Sequence, residues 1–128
     1  MAVARVHFIL YVRDQATSAR FYRAVLSAEP TLDVPGMTEL ALPGNAVLDL
    51  MPEAGAERLL GPPHDPAAAS GLPRAEVYLV VDDPALYLAR SLAAGARLVS
   101  GLEPRDWGHD AAYVLDPDGH VVAFARVR

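Results

Sequence analysis

The sequence predicts an α+β fold made of two copies of one unit, strand–helix–strands, joined by a long loop. Three observations predict it. Strand-like and helix-like apolar patterns follow one another in the same order in both halves of the chain. The spacing is shared: His7 lies seven residues before Asp14, and Glu76 lies seven before Asp83, with each aspartate at a strand-to-helix junction. Between the halves runs a stretch rich in proline and glycine, Pro52 to Pro73.

The elements follow in order. Ala4 to Val12, rich in Val, Ile, Phe and Tyr, reads as a strand. Asp14 opens a helix whose apolar positions Ala19, Tyr22, Val25 and Leu26 recur at helical spacing, and Glu29-Pro30 ends it. Short strands come next, punctuated by Pro35-Gly36 and Pro43-Gly44-Asn45; the best of them is Ala46 to Met51. Pro52 to Pro73 is too broken for an element and reads as a loop. Ala75 to Val81 is a strand, and Asp83-Pro84 supplies an N-cap and a first-turn proline for a helix that stops at Gly95. Arg97–Ser100 and Asp110–Leu115 are strands, Asp116-Pro117-Asp118-Gly119 is a turn, and His120–Val127 closes the chain as a strand. One domain of 128 residues is expected, with module one at 1–52, a connecting loop at 53–73 and module two at 74–128.

Composition removes several chemistries. The chain has no cysteine, so thiolate metal sites, disulfides and thiol nucleophiles are absent. All 11 basic residues are arginine, which excludes a lysine Schiff base and a P-loop lysine. The net charge of −5 and the lack of a basic block argue against nucleic acid as a partner. Neither a signal peptide nor a membrane span is visible, so a cytoplasmic protein without membrane contact is expected. No nucleophile elbow or glycine-rich phosphate loop occurs.

Strand alternation sorts the polar residues. His7, Ile9 and Tyr11 share one face of the first strand; Phe8, Leu10 and Val12 share the other, which should pack under helices. Val47, Asp49 and Met51 share a face, as do Glu76, Tyr78 and Val80, and Val121, Ala123 and Ala125. His7, Asp49 and Glu76 are thus ionisable groups set in otherwise apolar strands, where an unpartnered charge is costly.

The chain resembles the vicinal oxygen chelate superfamily of glyoxalase I, bleomycin-resistance proteins and extradiol dioxygenases. The residues that carry the resemblance are HFILYVRD and ARFYRAVLS in the first half, with Ser27 where relatives have glycine. The second half adds EVYLVVDD, ALYLARSLAAGA and RDWGHDAAYVLDPDGHVVAF. The resemblance implies two βαβββ modules forming an open, barrel-like mixed sheet around a cavity, with helices outside. It also implies a homodimer. Four strand positions hold a metal ion in metal-dependent relatives; here they fall on His7, Asp49, Glu76 and Ala123, and alanine cannot ligate. One histidine and two carboxylates could still hold Mn, Fe, Ni or Zn, but a hydrogen-bonded cluster without cofactor is the expectation. The incomplete set and the WG…DPDG block fit the bleomycin-resistance branch better than the glyoxalases.

Ligand-facing candidates are His7, Tyr11, Asp49, Glu76, Tyr78, Trp107 and Tyr113. Trp107, the single tryptophan, could stack on a flat ligand or anchor a dimer contact. Asp110 stands where relatives often carry a basic residue; His64 is expected to be solvated, and His120 and the helical Phe21 and Tyr22 to be structural. Three functions remain open. One is a small-molecule binding protein with its cavity at a dimer interface and without catalytic metal. Another is a metal-dependent lyase, isomerase or dioxygenase using His7, Asp49 and Glu76. The last is a ligand-free structural or regulatory module.

Overall fold

The structure, a computed structural model, describes residues 3–128. The first module comprises β1 (Val6–Val12), α1 (Gln15–Leu26), β2 (Leu32–Val34), β3 (Met37–Leu42) and β4 (Ala46–Pro52). The second comprises β5 (Glu76–Val80), α3 (Pro84–Ala93), β6 (Arg97–Pro104), β7 (His109–Leu115) and β8 (Val121–Val127). Each forms its own four-stranded sheet, ordered β1-β4-β3-β2 and β5-β8-β7-β6. In each the first and last strands of the module pair in parallel and the other neighbours are antiparallel. The fold is α+β with two βαβββ modules, as expected, and its strands form two separate open sheets.

The connecting segment is a correction. Expected to be irregular, it holds an eight-residue helix, α2 (Glu53–Leu60), and a short 3-10 turn at Pro66–Ala68. The sequence EAGAERLL is composed of good helix formers, and its one glycine, Gly55, lowers helix propensity by only about 1 kcal/mol. Burial of Ala56 supplies the packing that a polarity pattern does not display. By contact the chain divides into two units, 1–19 with 27–71, and 20–26 with 72–128. The C-terminal part of α1 therefore groups with the second sheet.

Capping explains where the helices begin. The Asp14 carboxylate accepts from the Thr17 amide at 3.1 Å and also from the Thr17 hydroxyl. Asp83 accepts from the Leu86 amide at 3.2 Å, with Pro84 behind it. These bonds satisfy amides that lack a partner within the helix. After α1, Ser27 adopts φ +50°, the left-handed conformation that glycine reaches without steric cost. We expect Ser27→Gly to raise stability by up to about 1 kcal/mol, read as a shift of the denaturant midpoint at constant slope.

The Asp116–Gly119 turn is tied down from one side chain. Asp116 Oδ1 accepts from the amides of Asp118 and His120, each at 2.9 Å, while Oδ2 accepts from the Tyr22 hydroxyl at 2.6 Å. Both Tyr22 and Asp116 are buried. Strand β6 runs on to Pro104, beyond the expected Ser100, through two register shifts against β7. Arg105 holds that irregular stretch: its guanidinium donates to Ser100 Oγ and to the carbonyls of Gly101 and Ala111.

The face assignment of β1 needs a further correction. Val12 is fully buried, but Phe8 is 55% exposed. Strand β1 lies at an edge of its sheet, with β4 as its only neighbour, so alternation alone did not decide what covers each face. Val6 and Ile9 are exposed as well.

Candidate functional site

In the first module, three strands converge on one polar group. Asp49 on β4 is the register partner of Ile9 on β1 and of Glu39 on β3. His7 stands two residues before Ile9, which brings its ring to Asp49. Nδ1 of His7 lies 2.7 Å from Asp49 Oδ2 and 3.6 Å from Glu39 Oε2. One potential ligand atom from each of the three residues lies within 4.8 Å of the others. Asp49 is only 2% exposed, and its other oxygen, Oδ1, is buried with no hydrogen-bond partner.

The electrostatics follow from the register. Carboxylates directly opposite each other on adjacent strands repel. Here Glu39 and Asp49 are opposite, and the His7 ring lies against both. Nδ1 of His7 and Oδ2 of Asp49 share one hydrogen bond, so Nε2 is the His7 ring nitrogen that this bond does not use.

The second sheet has the same register with different chemistry. Ala123 on β8 is the register partner of Tyr78 on β5 and of Tyr113 on β7. Position by position, Glu76, Tyr78, Tyr113 and Ala123 correspond to His7, Ile9, Glu39 and Asp49. The repeated unit read from the sequence is thus present in the strand pairing, and it sets Ala123 in the place of Asp49. Glu76 belongs to this second sheet and is exposed. The group of three that the structure assembles contains Glu39 in addition to His7 and Asp49, not Glu76.

Tyr78 is joined to two neighbours. Trp107 Nε1 donates to its hydroxyl at 2.9 Å, and that hydroxyl lies 2.7 Å from His109 Nδ1, with the Tyr78 and His109 rings stacked. Tyr113 lies under the Arg105 guanidinium, 5.3 Å from ring centroid to Cζ. Desolvation, followed by the nearby Glu76 and Tyr78, raises the Tyr113 hydroxyl above its usual pKa, so it stays protonated. Tyr11 shares a face of β1 with His7 and is partly exposed. Asp110, in the place of a basic residue, is paired with Arg126 at 3.5 Å and Arg128 at 3.7 Å. The His120 amide donates to Asp116 Oδ1 within the turn.

Two participants escaped the sequence reading. Glu39 lay in a strand whose register had not been assigned; counting back three residues on each side of the Leu42–Ala46 pair that flanks the turn places it opposite Asp49. His109 is the other, and nothing local in sequence links it to Tyr78, 31 residues away.

This architecture and these positions define a family. The chain belongs to the Glyoxalase/Bleomycin resistance protein/Dioxygenase superfamily, whose model matches residues 4–124. It is 30% identical over 115 residues to an uncharacterized protein of Mycobacterium bovis, covering 87% of this chain and 75% of that protein. Among solved structures it is similar to a glyoxalase-related enzyme from Fulvimarina pelagi, with a TM-score of 0.83, 24% identity and coverage of 98% of this chain and 88% of the other. It is also similar to a lactoylglutathione lyase from Agrobacterium tumefaciens, with a TM-score of 0.69, 20% identity and coverage of 96% and 92%. These structural likenesses concern the fold. No helix among the described residues is long and apolar enough to cross a membrane.

Proposed function

We propose that the chain binds a small molecule, without a resident catalytic metal, in a cavity that a second copy of the chain completes. The observation that carries this reading is the register equivalence of the modules. Where the first sheet sets His7, Glu39 and Asp49, the second sets Glu76, Tyr113 and Ala123. The second module therefore offers one carboxylate, a protonated phenol and a methyl group where a symmetric ligand set needs donors. His7 Nδ1 and Asp49 Oδ2 already satisfy one another at 2.7 Å. Held this way, His7 is a polar anchor, with Nε2 turned to the ligand and Glu39 beside it. Tyr78, Trp107 and Tyr113 supply aromatic surface of the kind small-molecule sites use. A homodimer is supported by the exposed apolar β1, whose Val6, Phe8 and Ile9 would be covered by a partner. A cytoplasmic setting is part of the same reading.

A specific observation favours a second reading. The buried, unpartnered Oδ1 of Asp49 is a group that a cation would satisfy. His7, Glu39 and Asp49 form a nitrogen–oxygen donor set that fits Mn, Fe, Ni or Zn. Such an ion would polarise the oxygens of a bound ligand.

Thermal unfolding in the presence of a library of drug-sized aromatic compounds tests the first reading. A ligand at one hundred times its Kd stabilises by about 2.7 kcal/mol, which raises Tm by several degrees. The protection should be lost in His7→Ala. Protection by none of the compounds, or protection unchanged in His7→Ala, would count against it.

A further inference from the structure

We propose that Arg58 on α2 is the charge-recognition residue of the first module, and that the molecule bound there carries a carboxylate at the end of an apolar body. The inference rests on the small-molecule reading and specifies the chemistry of its ligand.

The face of the first sheet that carries the polar group continues as an apolar strip. Ile9 and Tyr11 follow His7 on the same face of β1 and are 45% and 37% exposed. Met51 is the register partner of Tyr11 and follows Asp49 on the same face of β4. The strip therefore starts at His7 and Asp49 and runs along both strands towards α2, which begins directly after β4.

At the far end of the strip stands a cation. Buried Ala56 fixes α2 to the module. Gly55 and Arg58 are three residues apart and so lie on one side of that helix. The point that a Cβ of Gly55 would occupy is 3.8 Å from Arg58 Nη2 and 3.8 Å from Met51 Cε. The guanidinium thus folds back over the bare backbone of Gly55, on the side of α2 that meets Met51. Among the described residues no carboxylate lies within ion-pair distance of it. Its planar fork of N–H donors matches a carboxylate.

Charge decides which way round the ligand lies. Glu39 and Asp49 face one another at the His7 end, so an anionic group there would be repelled. A neutral hydrogen-bonding group can meet Nε2 of His7, and the carboxylate goes to Arg58. A rise of about 3.3 Å per residue puts Met51 roughly 7 Å beyond Asp49 along β4. The two polar groups of the ligand then stand on the order of 10 Å apart, with an apolar middle over Ile9 and Met51.

The compound 4-(4-hydroxyphenyl)butyrate has this layout, and 4-(4-hydroxyphenyl)butyramide replaces its charge with a neutral group of the same shape. Calorimetric titration of the full chain should give a Kd for the carboxylate roughly fivefold below that of the amide. Raising the ionic strength from about 0.05 M to about 0.5 M should shrink that preference, because salt screens an exposed pair. In Arg58→Gln the carboxylate should fall to the affinity of the amide, whose own binding stays unchanged. Arg58 is exposed, so the substitution leaves the fold intact. Equal affinity of the two probes for the unmodified protein would overturn the proposal. So would a preference that salt does not reduce, or one that Arg58→Gln keeps. If neither probe binds while other compounds protect the protein in a His7-dependent way, the proposal is overturned but the small-molecule reading survives. If no compound binds or protects at all, both fall.

Discussion

Replacing Asp116 with alanine will cost about 3 kcal/mol of stability, read as a lower denaturant midpoint with unchanged slope. The variant strips three donors at once: the Tyr22 hydroxyl and the amides of Asp118 and His120. Tyr22 is 1% exposed, so its hydroxyl would be left buried without a partner, the costly side of a broken hydrogen bond. Tyr22→Phe is milder, about 1 kcal/mol, because the turn amides keep their acceptor. It also has a pH signature. Desolvation first, then the Asp116 charge, holds the Tyr22 pKa well above its usual 10.0. Below pH 10 the phenol is protonated in both folded and unfolded chains, and its contribution is complete. Above it the unfolded chain ionises while folded Tyr22 still keeps its proton, so stability falls as pH rises. Tyr22→Phe should lose less stability than the parent over that alkaline range; an equal loss would mean another group is responsible.

Replacing His7 with alanine will cost about 2 kcal/mol, since Asp49 then loses the partner of Oδ2 while Oδ1 already has none. It also leaves Glu39 and Asp49 facing each other across β3 and β4 without the ring that lies against both. Adding Asp49→Leu to the same chain should recover most of that loss, because an apolar side chain of comparable size removes the buried carboxylate. Urea unfolding of the two single variants and the double variant measures the coupling. An additive result would mean that the 2.7 Å contact contributes nothing to the fold.

The prediction from His7 illustrates what the sequence could and could not disclose. The repeat was legible because it is written in local signals: aspartate caps at Asp14 and Asp83, turn chemistry at Asp116–Gly119, and a shared spacing. Those signals led to a repeated strand–helix–strands unit, and the family resemblance added the βαβββ modules and the equivalence of Asp49 and Ala123. Helix α2 was hidden because proline and glycine on its flanks outweighed the helix formers between them. The exposure of Phe8 was hidden because alternation reports which residues share a face, not whether anything packs on it. The polar group was half legible. His7 and Asp49 stand out as charges in apolar strands, whereas Glu39 comes to them only through the β3–β4 register. The Trp107–Tyr78–His109 chain depends on side-chain directions across three segments, information that no single stretch of sequence contains.

In the proposed function His7, Glu39 and Asp49 anchor a small molecule and hold no resident metal. Elemental analysis tests it most directly, on protein produced in medium supplemented with Mn, Fe, Ni and Zn and then freed of loosely bound ions. The parent should carry no stoichiometric metal, and its trace content should equal that of His7→Ala. One ion per chain in the parent, lost in His7→Ala and in Glu39→Ala, would contradict it and establish the metal-dependent reading instead.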